Sequence, residues 1–243
     1  MNLLLRLLLV FFCATQLQAG SHRENQMLFA NIMQDEINQL SNMTADKQAE
    51  YLMKNLDSIA QKAVNQGFDS SVYQPKKSVL TGFLHFTRHP LWEGSYFDIP
   101  LSLFVYQWPP EKEALKLTKG HGNQQNWYYR SNIHGHDIPC VFTVLSGSVT
   151  QILYEEVPNH PDRVVRETRR SVLTSGCLEF DDNSAPFVHQ VICQHEDSHP
   201  AITIHGYGAM TAVEVEKNFM DTFEEMSYRH VIKDDGSVQK QPW

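Results

Sequence analysis

Residues 132–147 read Asn-Ile-His-Gly-His-Asp-Ile-Pro-Cys-Val-Phe-Thr-Val-Leu-Ser-Gly. His134 and His136 stand two apart, and on an extended strand residues two apart project from one face. Two imidazoles on one face can share a metal ion. After Pro139 the run Cys140 to Leu145 is rich in β-branched and aromatic residues, and Ser146-Gly147 closes it. That is a strand ending in a glycine turn.

Working outward, the same character recurs. Val79 to Thr87, Leu101 to Trp108, Asn126 to Arg130 and Val141 to Tyr154 read as strands, as do Val164 to Leu173, Val188 to Cys193, Ala201 to Tyr207 and Thr211 to Val215. Short strands at regular spacing, separated by turn residues, predict a sandwich or a barrel. Two of these segments carry further chemistry. One holds His189. The other reads Thr203-Ile204-His205-Gly206-Tyr207, so Thr203, His205 and Tyr207 share a face. A polar row facing inward is costly unless it is hydrogen-bonded or does chemistry. Its presence points to a functional lumen.

The run from His134 to Gly147, together with His189 to Tyr207, resembles the two halves of a cysteine dioxygenase site, in a family of iron-dependent thiol oxidases with the cupin fold. The resemblance implies a mainly β chain, a small cupin (jelly-roll) barrel with N-terminal α-helices. It implies that His134, His136 and His189 hold Fe(2+). Thr203, His205 and Tyr207 match the family's serine-histidine-tyrosine row, with the hydroxyl kept at Thr203, and His199-Pro200-Ala201 fits the turn before it. Cys140 stands where animal members carry a cysteine cross-linked to the tyrosine. Phe86-Thr87-Arg88 resembles a Tyr-x-Arg segment whose arginine binds the substrate carboxylate. The likeness spans most of Gly82 to Val215, and only its histidine runs are specific. It departs at Phe86, at Gly135 between the histidines, and at the polar stretch Pro109 to Gln125, which reads as an inserted surface loop.

The chemistry fits these residue types. Three neutral imidazoles leave ferrous iron its full charge, whereas the commoner facial triad includes a carboxylate. Such a site favours an anionic thiolate, and both atoms of O2 can pass to sulfur without an external reductant. The expected reaction converts a small thiol, foremost L-cysteine, to its sulfinic acid. In it Arg88 would fork onto a carboxylate, Tyr207 would place its hydroxyl near substrate or oxygen, and Thr203 and His205 would hold that hydroxyl. Cys140 either joins Tyr207 in a thioether or is a small buried hydrophobe. The alternatives are a dioxygenase for another thiol such as 3-mercaptopropionate, a non-oxygenase cupin holding zinc, manganese or nickel, and a binding module without turnover.

The flanks bound the domain. Met1 to Ala19 has one basic residue, Arg6, within an apolar run that extends from Leu3 to Ala14. It reads as a signal peptide cleaved after Ala19, with a packed N-terminal helix as the alternative. The chain is then secreted or periplasmic, and otherwise cytoplasmic. Residues 20–78 are expected as a helical segment packed on the barrel, residues 79–225 as the barrel, and residues 226–243 as a polar, loosely held tail. Within the helical segment Leu28, Phe29, Ile32, Met33 and Ile37 fall at helical spacing, Thr44 caps a second helix, and Gly67 ends it.

A net charge of -8 over 243 residues argues against nucleic acid or an anionic membrane as partner. Small-molecule thiol and O2 are the expected partners, with no membrane once the leader is gone and with the chain acting as a monomer. Cys140, Cys177 and Cys193 remain after leader removal, an odd number that does not make a disulfide scaffold. Cys177 and Cys193 read as core. His85, His89, His121, His195 and His199 read as surface or loop, and Trp92, Trp108 and Trp127 as barrel packing.

Overall fold

The computed structural model describes residues 22–73, 76–77, 84–85, 87–96, 99–110, 131, 133–136, 138–160, 163–181, 188–193, 200–208, 227–228 and 230–240. The leader, most of the inserted loop at Pro109 to Gln125, and the segments expected as strands at Asn126 to Arg130 and Thr211 to Val215 lie outside the described residues.

The described residues begin with three α-helices: α1 over residues 22–39, α2 (Ala45–Lys54) and α3 (Leu56–Asn65). Phe29, Ile32, Met33, Ile37 and Leu40 recur every three or four residues along α1 and into the turn after it, and all are buried. Thr44 sits at the N-cap of α2 in extended conformation, but its side chain makes no capping bond there. Asn55 separates α2 from α3. Its backbone leaves the helical region, and its side-chain Nδ2 donates to the Tyr51 carbonyl at 2.8 Å. Gly67 follows α3 with φ +101°, in the left-handed region open to glycine.

The β part is two antiparallel-rich sheets facing each other. The first pairs β3 (Thr87–Tyr96), β4 (Ile99–Trp108), β11 (Ala201–Gly208), β6 (Cys140–Ser146) and β9 (Leu178–Asp181) in that order. The second runs β12 (Ser227–Tyr228), β5 (Ile133–Gly135), β10 (Val188–Cys193), β7 (Ser148–Glu156), β8 (Val164–Thr174), β13 (His230–Ile232) and β14 (Val238–Lys240). A small separate pair joins β1 (Lys76–Lys77) to β2 (Leu84–His85). Apart from β3–β4, β7–β8 and β13–β14, neighbours in these two sheets are not consecutive in sequence, and the two sheets curl around one lumen: this is the cupin jelly roll, mainly β with N-terminal helices.

Alternation along the first sheet builds two cores. Leu103, Val105, Val141, Leu145, Ile202 and Ile204 face outward and meet the apolar stripe of the helices. Phe104, Tyr106, Trp108, Cys140, Phe142, Val144 and Tyr207 face inward, against Val149, Leu173, Val191 and Cys193 from the second sheet. Burying each large apolar side chain contributes about 1.5–3 kcal/mol, so both faces of this sheet are held. The turn from β6 to β7 carries the chain between sheets at Gly147, where φ is +72°. A Cβ there would lie 3.0 Å from the Ala201 Cα, so the turn needs glycine for conformation and for space.

Two expectations are corrected. The segment past residue 226 is not a loose tail: β12 pairs with β5, and β13 runs parallel to β8 and antiparallel to β14. Backbone pairing orders these residues despite their polarity, and Tyr228 and Val231 are buried beneath them. His89 is not a surface residue. It lies in β3, half-buried, with its ring 5.3 Å from Tyr73 and 5.7 Å from His22. β3 also tolerates Pro90, because it is the edge strand and its register shifts between Pro90 and Trp92.

Candidate metal centre

β5 pairs antiparallel with β10 so that His134 and His189 are Cα partners. His136 follows β5 directly, and the three rings converge with centroids 4.6–5.0 Å apart. Their available nitrogens all lie within 4.8 Å of one another. His189 Nε2 is 3.0 Å from His136 Nε2 and 3.3 Å from His134 Nε2. Ligand bonds of about 2.1 Å meeting at about 90–105° put neighbouring nitrogens about 3.0–3.3 Å apart. The trio therefore has the donor type and the spacing of a transition-metal site. Among the described residues these three histidines are the metal-ligating group that converges there.

The electrostatics agree with a site of neutral ligands. Burial, with His134 and His205 nearby, holds His136 well below the usual imidazole range. Burial, with His134, His136 and His205 nearby, does the same for His189. Neutral imidazole is the form that coordinates a metal. His189 is also approached from behind: Gln151 Nε2 lies 3.3 Å from its Nδ1. Second partners of this kind orient metal-binding histidines.

The opposite wall belongs to β3, β4, β6 and β11. Trp108 Nε1 donates to Thr203 Oγ1 at 2.8 Å, and Thr203 Oγ1 lies 2.9 Å from His205 Nε2. Because the indole can only donate, the Thr203 proton is available to His205. His205 is clamped between Phe142, stacked at 5.1 Å, and Tyr106 at 4.1 Å. Burial, with His134 nearby, pushes His205 down to about 3.

Thr203 and His205 do not hold the Tyr207 hydroxyl. Alternate side chains on a strand start about 6.5–7 Å apart, so neighbouring rings run side by side. The His205 and Tyr207 rings do so, with centroids 6.4 Å apart. Among the described residues the partner of the Tyr207 hydroxyl is the Tyr106 hydroxyl, at 2.9 Å. Tyr106 in turn is hydrogen-bonded by Arg88, its Cα partner across β3 and β4. A guanidinium only donates, so Arg88 donates to Tyr106, while either hydroxyl of the Tyr106–Tyr207 pair can be the donor in the bond between them. Burial raises both phenols, most strongly Tyr207, where Tyr106 and Cys140 add to the effect. The Tyr207 ring lies 6.3 Å from that of His136.

The structure thus gathers His134, His136 and His189 on one wall, with Arg88, Cys140, Thr203, His205 and Tyr207 on the other. Cys140 is the Cα partner of Tyr207 and is buried. Sequence reasoning missed Tyr106 and Gln151 and assigned Trp108 to packing alone. The signal available for the first was alternation in β4, where Phe104, Tyr106 and Trp108 share the inward face. Nothing in the sequence near Gln151 marks it.

No family model matches the chain, and no curated protein matches it. Among solved structures it is similar to a protein of unknown function with a cupin-like fold from Ralstonia eutropha. That match has 16% identity over 66% of this chain and 89% of that one, with a TM-score of 0.36. An RmlC-like cupin from Shewanella frigidimarina matches at 15% identity over 58% of this chain and 89% of that one, with a TM-score of 0.33. A cupin superfamily protein from Desulfitobacterium hafniense matches at 6% identity over 56% of this chain and 84% of that one, with a TM-score of 0.32.

Proposed function

We propose that this cupin uses its three-histidine centre, loaded with ferrous iron, to oxidise a small thiol bearing a carboxylate to the sulfinic acid, with L-cysteine the first candidate. The observation that carries the reading is the contact chain Arg88, Tyr106, Tyr207, which brings a guanidinium and two phenols to the wall beside His136. Bound iron would supply the positions at which thiolate and O2 meet and the path by which electrons pass between them. The overall reaction balances without a further reductant: sulfur gives up four electrons, O2 takes four, and both oxygen atoms end on sulfur.

The chain's own residues supply the rest. His134, His136 and His189 present neutral lone pairs and add no negative charge to oppose a thiolate. The Arg88 guanidinium carries five N–H donors in a fixed fork, a geometry that suits a carboxylate. Tyr207 places its phenol beside His136, and burial raises its pKa so that the hydroxyl stays protonated at neutral pH. Phe104, Phe142 and Val144 line the lumen with apolar surface, which strengthens every polar contact made there.

A second reading has the same centre in a cupin without oxygenase activity, because three imidazoles are also a donor set for zinc or nickel and can hold manganese more weakly. O2 consumption by the iron-loaded full chain, with cysteine and then other thiols offered, separates the two. Uptake with cysteine, a sulfinate product, and loss of both in His189→Ala are expected. Uptake only with another thiol keeps the chemistry and changes the substrate. No uptake with any thiol at confirmed iron occupancy leaves the second reading. Removal of residues 1–19 belongs to the same proposal, and the mass of the exported chain tests it.

A further inference from the structure

We infer that Gln151 selects the proton position on His189 and thereby sets the metal affinity of the centre; this rests on the three-histidine cluster being the metal site. Gln151 lies on β7, whose partner strand β10 carries His189, and it is 1% exposed. Its amide is in contact with the back of the His189 ring, Nε2 to Nδ1 at 3.3 Å. Its other polar atom, Oε1, is buried and has no hydrogen-bond partner.

A neutral imidazole carries one proton, on Nδ1 or on Nε2. His189 Nε2 is the atom that faces His134 and His136. To offer a lone pair there, the ring must carry its proton on Nδ1. An N–H at Nδ1 needs an acceptor, and the Gln151 amide is within reach of it. When the amide presents Oε1, the Nδ1–H is held and Nε2 is free to coordinate. When it presents Nε2, the amide donates to Nδ1 and the proton is forced onto the metal-facing nitrogen. The two settings differ by a half-turn of a planar group whose two ends have the same shape. One side chain therefore holds both the enabling and the opposing arrangement, and the enabling one gives its buried Oε1 a partner.

Glutamate at this position would have the enabling setting alone, since a carboxylate only accepts, and it would raise the basicity of the ligand. Leucine would have neither. Second partners of metal-bound histidines typically change metal affinity about 10–100-fold. Zinc titration of the full chain against a chromophoric chelator reads this directly. Gln151→Glu is expected to bind zinc about tenfold tighter or more, and Gln151→Leu about tenfold weaker or more, on that scale. Nitrogen-15 shifts of the His189 ring provide a readout independent of any variant: the zinc-bound wild-type chain should carry its proton on Nδ1. Wild-type affinity in both folded variants, or a zinc-bound His189 with its proton on Nε2, overturns the inference. Where a variant does not fold, the wild-type shifts decide alone. If His189→Ala binds zinc as well as wild type, the metal site itself is misassigned, a result distinct from failure of the Gln151 role.

Discussion

Cys140 and Tyr207 are Cα partners across the β6–β11 pair, and both side chains are buried on the lumen side of the sheet. Directly opposed residues on one face hold their Cβ atoms about 4.5–5.5 Å apart, close enough for sulfur to reach the edge of the phenol ring. The pairing makes a thioether between them an intramolecular reaction of two oriented groups. In it the S–H bond and a ring C–H bond are lost, a C–S bond forms, and O2 takes the two electrons and two protons. Incubation with iron, thiol and air is expected to yield a chain lighter by two hydrogens, with Cys140→Ser unchanged. An intact mass showing no loss after turnover would refute the cross-link.

Metal content should depend on the wall, not on histidine as such. His134→Ala or His189→Ala removes one of three converging nitrogens, and copurifying or reconstituted metal is expected to drop by at least about tenfold relative to wild type. His205→Phe should retain metal near the wild-type level, because His205 Nε2 is turned to Thr203. Elemental analysis of the three purified variants checks this. Equal loss in all three would mean that His205 also serves the metal.

The barrel strands were legible because alternation and β-branched runs are local properties, and β4, β6, β7, β8, β10 and β11 fall where they were expected. His134, His136 and His189 were legible as chemistry because the first pair announces itself by spacing and the third by resemblance. Less could be read where the stabilising partner is remote. The Tyr106–Tyr207 pair joins residues 101 apart, and no local pattern encodes it. The C-terminal strands read as polar tail because their order comes from pairing with β5 and β8. Asn55 breaks what reads as one continuous helix, a break made by its own backbone conformation.

Arg88 should discriminate substrates by their carboxylate. If it forms a forked pair, Arg88→Ala loses a charge-assisted contact worth about 1.5–3 kcal/mol, or roughly 10–150-fold in kcat/KM. The loss is expected with cysteine and not with cysteamine, which lacks the carboxylate. Steady-state O2 uptake with both thiols tests it. An equal fall for both would assign Arg88 to ordering Tyr106 instead.

Gly147 connects the two sheets at a left-handed φ, against the backbone of Ala201 and Pro200. Gly147→Ala forces a Cβ into a contact of 3.0 Å with a backbone atom that has no freedom to retreat. Strained φ and overpacking each cost about 1–3 kcal/mol. Urea unfolding should show a loss of at least about 2 kcal/mol. A midpoint within error of wild type would mean that the β6–β7 turn relaxes freely.

Acid should destabilise this fold through its buried histidines, and the sign follows from the shifts. His205 falls from an ordinary value of 6.5 to about 3 on folding, so between those limits the unfolded chain binds the extra proton. Stability then rises with pH across that window, is complete above about 6.5, and is lost as pH falls toward 3. Each pH unit inside the window is worth about 1.4 kcal/mol per histidine, so His205 alone accounts for roughly 2 kcal/mol between pH 7 and pH 5. His136 and His189 are lowered as well and push in the same direction. Urea unfolding of the metal-free chain at pH 7 and pH 5 should show this loss. His205→Phe, which keeps the stack between Phe142 and Tyr106, should reduce the difference by about 2 kcal/mol. A pH dependence identical in wild type and His205→Phe would mean that His205 titrates normally and that the lumen is wetter than its packing implies.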